Sequence, residues 1–255
     1  MEQSRRVLIT GAGSGIGAGI AEGLAELGHR VIVSDLHLDA AEEVATRLRE
    51  AGHEAEAVAL DVASEDSIRS MIEARAEPID VLVNNAGLQH VSRLEDFPMA
   101  KWDQLIQVML VGVAGLTRAV LPGMREQGFG RIVNIGSIHS LVASPYKSAY
   151  VAAKHGLMGL SKVIALETAD TDITINTICP TYVKTPLVDK QIADQARNHG
   201  ISEDEVVKDI MLRPMPKGVF ISFEELAGIT AFLMSPAARN ITGQAITVDG
   251  GWTVQ

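Results

Sequence analysis

The chain has 255 residues, of which 47% are apolar and 21% charged, a composition that argues against a disordered protein and permits a large core. Its formal net charge of −10 opposes binding to phosphate backbones, so we expect no nucleic-acid partner. The one cysteine, Cys179, excludes a disulfide within the chain and fits a reducing cytoplasm. The apolar run 108–116 is too short to cross a bilayer, so we also expect no membrane contact.

Short apolar runs alternate along the chain with longer helical patterns, which predicts βαβ units and a parallel sheet covered on both faces. We predict strands at 6–10, 30–35, 56–62, 79–85, 131–137, 173–179 and 244–250. Helices are predicted at about 15–28, 39–51, 64–76, 101–126, 149–169 and 224–235. Together these elements indicate a single doubly wound α/β domain over residues 1–255.

Residues 183–222 interrupt the alternation as a long insertion before the last helix and strand. Insertions at the carboxyl ends of strands often cover a ligand, so we expect a substrate lid here. The alternative is a surface segment that only packs against a partner subunit.

The stretch "TGAGSGIG" follows the first predicted strand and opens the first predicted helix. Gly11 permits a tight turn, whereas Gly15 and Gly17 let the backbone approach a pyrophosphate and let the helix pack closely on the sheet. The free N–H groups and the partial positive charge of a helix N-terminus favour the same anion. In this context the motif predicts a Rossmann-type dinucleotide site, to which Ser14 and Ile16 also belong.

Asp35 ends the second predicted strand, 18 residues after Gly17. A carboxylate at this point accepts hydrogen bonds from the adenosine ribose diol and repels a 2′-phosphate. The following residues, "LHLD", supply no Arg or Lys to hold that phosphate, so we predict NAD over NADP. The alternative is that Asp35 only caps the end of the strand.

The third and fourth predicted strands end in "LDV" and "NNAG", beside the same crevice of a doubly wound sheet. Asp61 and Val62 are placed to flank an adenine. Asn84, Ala86 and Gly87 are expected to line the cofactor. A purely structural role in a turn is the alternative for Asn84.

The stretch "YKSAYVAAK" places Tyr150 and Lys154 four residues apart, on one face of a predicted helix. A tyrosine with a pKa of about 10 is a poor base at neutral pH, and lowering that pKa by about three units takes roughly 4 kcal/mol. A nearby ammonium and an oxidised nicotinamide both stabilise the phenolate. We predict that Tyr150 removes an alcohol proton while Ser137, at the end of the fifth strand, orients the substrate oxygen. The alternative is a helix with a stray tyrosine and lysine.

These motifs and their order resemble the short-chain dehydrogenase/reductase family over nearly the whole chain. The resemblance implies that Lys154 also holds the nicotinamide ribose. It implies a further set of residues against the nicotinamide ring: Pro180, Val183 and Thr185. Members of the family are commonly tetrameric, and glycines on two predicted helices fit burial against another subunit: Gly112, Gly115, Gly156 and Gly159.

One position departs from the family pattern. Family members usually carry an Asn in the helix before the fifth strand, and "WDQLIQVML" places Met109 there. The usual Asn supports a helix kink and a water that relays protons to the lysine, a polar role that Met cannot take. An NAD-binding sensor with little or no turnover is therefore an alternative to an active enzyme.

Four side chains resemble the set with which the D-3-hydroxybutyrate dehydrogenases of this family bind the substrate carboxylate: Gln89, His139, Lys147 and Gln191. Trp252 matches a residue lining that site, and Tyr182 stands where a Trp is often found. Each charged hydrogen bond contributes about 1.5–3 kcal/mol, enough to offset the unfavourable net charge locally. The resemblance implies NAD-dependent interconversion of (R)-3-hydroxybutyrate and acetoacetate by a cytoplasmic homotetramer, with no metal.

Three further interpretations stay open. One rival is a reductase of 3-oxoacyl thioesters or other ketones on the same fold, although Asp35 and the donor set argue against it. Another small hydroxy acid is possible because Tyr182 in place of Trp changes the size of the pocket. Taken singly, each Gln or Lys of the set is also explained as a solvated loop residue, and His139 as a side chain that bonds a backbone carbonyl. Tyr146 is expected only to pack near the entrance of its helix.

Overall fold

The computed structural model describes residues 4–254. These residues form one parallel sheet of seven strands, in the order β3-β2-β1-β4-β5-β6-β7. The strands are β1 (Arg6–Thr10), β2 (Arg30–Asp35), β3 (Ala55–Ala59), β4 (Val81–Asn84), β5 (Gly130–Ile135), β6 (Ile173–Pro180) and β7 (Ala245–Val248). The predicted doubly wound α/β fold is confirmed.

The helices are α1 (Gly15–Glu26), α2 (Leu38–Glu50), α3 (Glu65–Glu73), α4 (Met99–Ile106), α5 (Gly112–Gln127), α6 (Ser148–Glu167), α7 (Pro186–His199), α8 (Glu203–Glu205) and α9 (Phe223–Met234). A π-helical turn, Gln107–Val111, joins α4 to α5. The chain order reverses where β1 lies beside β4, and the crevice at the carboxyl ends of such strands is where doubly wound sheets bind ligands.

The alternation of side chains along each strand builds two cores. Val7 and Ile9 of β1 pack into the same cluster as Ile20 of α1, whereas Leu8 packs on the other face with Leu116 of α5. Both faces of the sheet are therefore buried, which is why its strands are continuous apolar runs and do not alternate between apolar and polar residues.

Two element boundaries differ from the sequence prediction in ways that affect the site. The third strand ends at Ala59, so Asp61 and Val62 lie in the following loop. There the Asp61 carboxylate accepts the Ala63 N–H at 2.9 Å, a local turn bond that competes with continued strand pairing. The long helix predicted at 101–126 is instead two helices joined by the π-helical turn, which carries Met109.

One helical stretch in the described part of the chain, Met99–Gln127, is long and apolar enough to cross a membrane by length and composition alone. The core helix of a soluble protein meets the same criteria, so this is weak evidence for a span. Its two helices contact α3, α6 and β5. The apolar run 108–116 is thus the middle of a longer helical stretch.

The insertion 183–222 contains α7, α8 and a π-helical turn, Val206–Met211. Its two ends come together, because Val183 and Ile221 form an isolated parallel bridge. It also has its own apolar cluster, formed by Val188, Ile192, Val206 and Met211. The insertion is therefore a folded segment with a core of its own.

Candidate active site

One crevice at the carboxyl ends of the strands collects most of the predicted site. It is lined by residues from the glycine motif, the ends of β2, β4 and β5, the start of α6 and the insertion. The predicted residues that line it are Gly11, Ser14, Gly15, Ile16, Asp35, Gly87, Gln89, Ser137, His139, Lys147, Tyr150, Lys154, Tyr182, Val183, Thr185, Gln191 and Trp252.

Six predicted cofactor residues do not line the crevice: Gly17, Asp61, Val62, Asn84, Ala86 and Pro180. Asn84 is buried, and its side-chain amide donates to Asn134 Oδ1 at 2.9 Å, which is the structural role named above as the alternative. Ala86 and Gly17 lie behind the glycine turn and shape it from the back. Pro180 is the buried last residue of β6.

Asn85 lines the crevice, and the sequence did not single it out. Its Nδ2 donates to the carbonyls of Thr10 and Gly11 at 2.9 and 3.0 Å, so it ties the glycine turn to the end of β4. The signal was present in "NNAG", but the choice between two adjacent asparagines depends on which one the strand points inward. Other lining residues that were not predicted are apolar or small: Leu88, Ile135, Gly136, Ile138, Thr181 and Val188.

The glycine turn has the shape needed to hold a dinucleotide phosphate. Gly11 has φ +61°, and a Cβ on it would lie 2.8 Å from the Ala86 Cα. The helix α1 begins at Gly15, and its N-cap residue Ser14 makes no side-chain capping bond. The first N–H groups of α1 therefore lack a side-chain cap and face a crevice, where an anion is favoured.

Asp35 is held in place by the backbone on both sides. Its Oδ2 accepts the Gly13 N–H at 3.0 Å, and its Oδ1 accepts the His37 N–H at 3.2 Å. The carboxylate thus does part of the capping named as the alternative, and it also lines the crevice. Each oxygen keeps a lone pair that can accept a ribose hydroxyl.

The three predicted catalytic side chains meet at the inner end of the crevice. Tyr150 and Ser137 both line this part of the crevice, and the Lys154 Nζ lies 5.6 Å from the centre of the Tyr150 ring. Lys154 is buried, and its ammonium donates to the Ile135 carbonyl at 2.7 Å. Ser137 is itself fixed, since its Oγ accepts the His139 N–H at 3.2 Å and its own N–H donates to Ser140 Oγ at 3.3 Å.

Burial dominates the acid–base properties of this trio. It raises the pKa of Tyr150, and the hydrogen bond with Ser137 offsets only part of that rise. Burial also lowers the pKa of Lys154 to about 8. The shift at Tyr150 runs opposite to the lowered tyrosine pKa that the sequence predicts.

Met109 forms part of the apolar wall behind Tyr150. It is fully buried in a cluster with Phe97, Ala149 and Ala153, against which Tyr150 packs. The π-helical turn that holds Met109 forms without an asparagine, so the helix distortion does not require the usual amide. The thioether supplies no hydrogen-bond donor toward Lys154.

The outer end of the crevice carries a cation beside a neutral imidazole. His139 Nε2 lies 3.3 Å from both Lys147 Nζ and Ser144 Oγ. Burial, together with the charge of Lys147, lowers the pKa of His139 to about 4, and burial lowers the pKa of Lys147. Gln89 contributes a buried Oε1 with no hydrogen-bond partner. Lys147 thus brings a positive charge to a pocket that also holds an unsatisfied amide oxygen.

Aromatic rings enclose the space between the two ends. The Trp252 ring lies 6.4 Å from His139 and 6.3 Å from Tyr182, measured between ring centroids. His139 is 6.1 Å from the Tyr150 ring, in an edge-on arrangement. Tyr150, His139 and the aromatic wall thus line the same space. No group of His, Cys, Asp or Glu residues that could hold a metal occurs within residues 4–254.

These features define a dehydrogenase of the short-chain class, and the model of the short chain dehydrogenase family matches residues 5–196. The chain belongs to that family. It is 44% identical to the D-beta-hydroxybutyrate dehydrogenase of Rhizobium meliloti (strain 1021), over 99% of this chain and 100% of that protein. It is 42% identical to the D-beta-hydroxybutyrate dehydrogenase of Cupriavidus necator, over the full length of both.

A solved structure of a variant of actinorhodin polyketide ketoreductase with NADPH is similar to this fold. Its TM-score is 0.92 at 36% identity, and the match covers 98% of this chain and 97% of that one. The predicted family resemblance is confirmed, and the short-chain dehydrogenase fold binds a nicotinamide cofactor.

Proposed function

We propose that the protein is an NAD-dependent 3-hydroxybutyrate dehydrogenase that interconverts (R)-3-hydroxybutyrate and acetoacetate. The observation that carries the proposal is the Lys147–His139 pair in the same crevice as Ser137 and Tyr150. Gln89 and Gln191 line this crevice as well. A carboxylate placed there is met by an ammonium and amide donors, while the substrate hydroxyl reaches the catalytic trio. The two hydroxybutyrate dehydrogenases above support this choice of substrate.

The proposed reaction moves one proton and one hydride. Tyr150, as phenolate, takes the proton of the substrate hydroxyl, Ser137 hydrogen-bonds the same oxygen, and Lys154 stabilises the negative charge on Tyr150. The chemistry that a bound NAD would supply is acceptance of the hydride that leaves the substrate carbon, which becomes the ketone. In the reverse direction Tyr150 returns its proton to the ketone oxygen.

Asp35 supports NAD as the cofactor. Its carboxylate is fixed by two backbone N–H groups, so it cannot turn away to admit a 2′-phosphate without breaking them. The residues after it, Leu36, His37, Leu38 and Asp39, offer no guanidinium or ammonium to bind that phosphate. The nicotinamide ring would lie against Val183 and Thr185, which line the crevice.

The remaining proposals concern assembly and location. We propose one domain over residues 1–255 with 183–222 as the substrate lid, working as a cytoplasmic homotetramer. Exposed Val111, Val163 and Leu166 fit a subunit interface. Two of the glycines predicted to lie at that interface are instead required by packing within the subunit. A Cβ on Gly112 would lie 2.4 Å from the Val62 carbonyl oxygen, and a Cβ on Gly156 would lie 2.8 Å from Leu110.

A second candidate is oxidation of a different small hydroxy acid by the same mechanism. Tyr182 favours it, since its ring lines the crevice at the position where the family resemblance implies a larger indole. Steady-state rates with (R)-3-hydroxybutyrate, its S enantiomer and longer or hydroxylated 3-hydroxy acids, each with NAD and NADP, decide between them. The highest kcat/KM should fall on (R)-3-hydroxybutyrate with NAD. A clear preference for another acid would overturn the main proposal in favour of the second.

A further inference from the structure

Tyr146 has a backbone conformation that its residue type disfavours. Its φ is 68°, and within residues 4–254 it is the one non-glycine residue with a positive φ. L-residues avoid this left-handed region because Cβ crowds the following carbonyl, and asparagine tolerates it better than tyrosine. The side chain is 50% exposed, so burial of the ring does not force this conformation. Such an outlier beside an active site points to a functional constraint.

Contacts with one neighbouring loop hold Tyr146 in this conformation. The Tyr146 carbonyl accepts the Ser92 N–H at 2.9 Å. The Arg93 guanidinium lies 5.7 Å from the centre of the Tyr146 ring, within the range of a cation–π contact. Ser92 and Arg93 belong to the loop after β4, which also carries Gln89 into the crevice. Tyr146 therefore connects the two segments that bring substrate-binding side chains to the outer end.

The residue after this turn is Lys147. It is the N-cap of α6, and its carbonyl accepts the Val151 N–H at 2.8 Å, so the helix begins directly after the Tyr146 turn. Its side chain leaves the helix entrance and places Nζ 3.3 Å from His139 Nε2. A change of φ at Tyr146 from positive to negative would rotate the chain leading into Lys147 relative to the loop that carries Gln89.

We propose that Tyr146 is a positioning residue for substrate recognition: its left-handed turn, fastened to Ser92 and Arg93, sets the direction in which Lys147 enters the crevice. The role ascribed to Lys147 itself rests on the proposed function. The turn keeps Lys147 and Gln89 at one separation, so that both reach a single small carboxylate. Tyr146 touches neither the reacting atoms nor the cofactor and acts through Lys147.

Two substitutions at Tyr146 separate backbone geometry from the ring. Tyr146→Asn removes the ring but tolerates a positive φ, whereas the β-branched side chain of Tyr146→Val strongly opposes it. We expect Tyr146→Val to raise the KM for (R)-3-hydroxybutyrate on the order of tenfold, and Tyr146→Asn to change it by less than about threefold. The KM for NAD and the kcat should stay near the original values in both. Equal KM values for the two variants together with an unchanged pKa of Lys147, or a fall in kcat alone, would overturn the proposal.

A substrate-free readout separates this proposal from the proposed function. Lysines are converted to their ¹³C-dimethyl forms, and the Lys147 signal, assigned with Lys147→Arg, is titrated by NMR. Burial lowers the pKa of Lys147, so Tyr146→Val should return that pKa toward its ordinary value while Tyr146→Asn should not.

If the pKa of Lys147 shifts in Tyr146→Val but KM does not respond, the role of Lys147 in substrate binding is wrong. If the Lys147 signal is the same in all variants, the positioning role of Tyr146 is wrong. Thermal melts identify a variant that fails to fold, and Tyr146→Thr then replaces Tyr146→Val.

Discussion

Two regions of the crevice are built from different parts of the chain: the glycine turn with Asp35, which we propose holds the cofactor and call the cofactor end, and the outer end around Lys147, which we propose holds the substrate and call the substrate end. At the cofactor end the glycine turn and the N-terminus of α1 present backbone groups, and one side chain, the Asp35 carboxylate, is held by two backbone N–H groups. At the substrate end they come from side chains that three separate segments bring together, with Lys147, His139 and Gln89 at its centre. Backbone contacts specify a shape that many dinucleotides share, whereas side chains can distinguish one small acid from another. We therefore expect selectivity for the substrate to depend on the side chains at the substrate end.

The largest effect is expected where the two ends meet, at Tyr150. Tyr150→Phe removes the proton acceptor and keeps the ring in its apolar wall. We expect kcat to fall by roughly 10²–10⁴-fold, the usual range for loss of general acid–base catalysis. The Kd for NAD, measured by the quenching of tryptophan fluorescence, should change little. A kcat within about tenfold of the original would show that another group is the base.

At the cofactor end, Asp35→Ser should change the choice of cofactor more than the rate with the better one. Removal of the carboxylate deletes the acceptor for the ribose diol and the repulsion of a 2′-phosphate. We expect the ratio of kcat/KM for NAD to that for NADP to fall by about 10- to 100-fold, or roughly 1.4–2.8 kcal/mol. Asp39→Ser, an exposed carboxylate in the first turn of α2, is the matched control and should leave the ratio unchanged.

Met109 tests whether the apolar wall behind Tyr150 limits turnover. We expect Met109→Asn to raise kcat by about threefold to tenfold, as restored support for proton transfer would. It should also lower the free energy of unfolding by about 1–3 kcal/mol, because an amide replaces an apolar group in a closed cluster. Met124→Asn, at another fully buried methionine on α5, should lose stability without gaining rate. No measurable turnover in the original protein together with its appearance in Met109→Asn would identify the natural chain as a sensor.

The smallest effect concerns pH at the substrate end. Because the pKa of His139 is lowered to about 4, the imidazole is neutral in the folded protein at neutral pH. The KM for 3-hydroxybutyrate should therefore show no inflection at the ordinary histidine pKa of about 6.5. Because of the same shift, the unfolded chain binds this proton more readily than the folded protein does. The contribution of His139 to the free energy of unfolding is therefore full above about pH 6.5 and is lost as the pH falls toward 4. An inflection in KM near pH 6.5 that is absent in His139→Gln would contradict the neutral imidazole.

Some residues of the site follow from patterns in the sequence, and others depend on packing that the sequence does not show. Gly11, Gly15 and Asp35 were found because a glycine motif and a strand end have a fixed relation along the chain. Asn84 was chosen over Asn85 because spacing does not show which of two neighbours faces the crevice. Tyr146 was given only a packing role because a positive φ on tyrosine leaves no mark in the sequence. The balance of burial against hydrogen bonding at Tyr150 likewise depends on packing from α4 and the π-helical turn, which no local pattern contains.

The most direct test of the account compares (R)-3-hydroxybutyrate with its neutral methyl ester in the original protein and in Lys147→Ala. If Lys147 binds the carboxylate, the original protein prefers the acid, and Lys147→Ala loses about 10- to 100-fold in kcat/KM for the acid but little for the ester, as expected for one charged hydrogen bond worth roughly 1.5–3 kcal/mol. Lys101→Ala, an exposed lysine on α4, should leave both values unchanged. An unchanged KM for the acid in Lys147→Ala, or an equal loss with both substrates, would contradict the proposed recognition of a carboxylate.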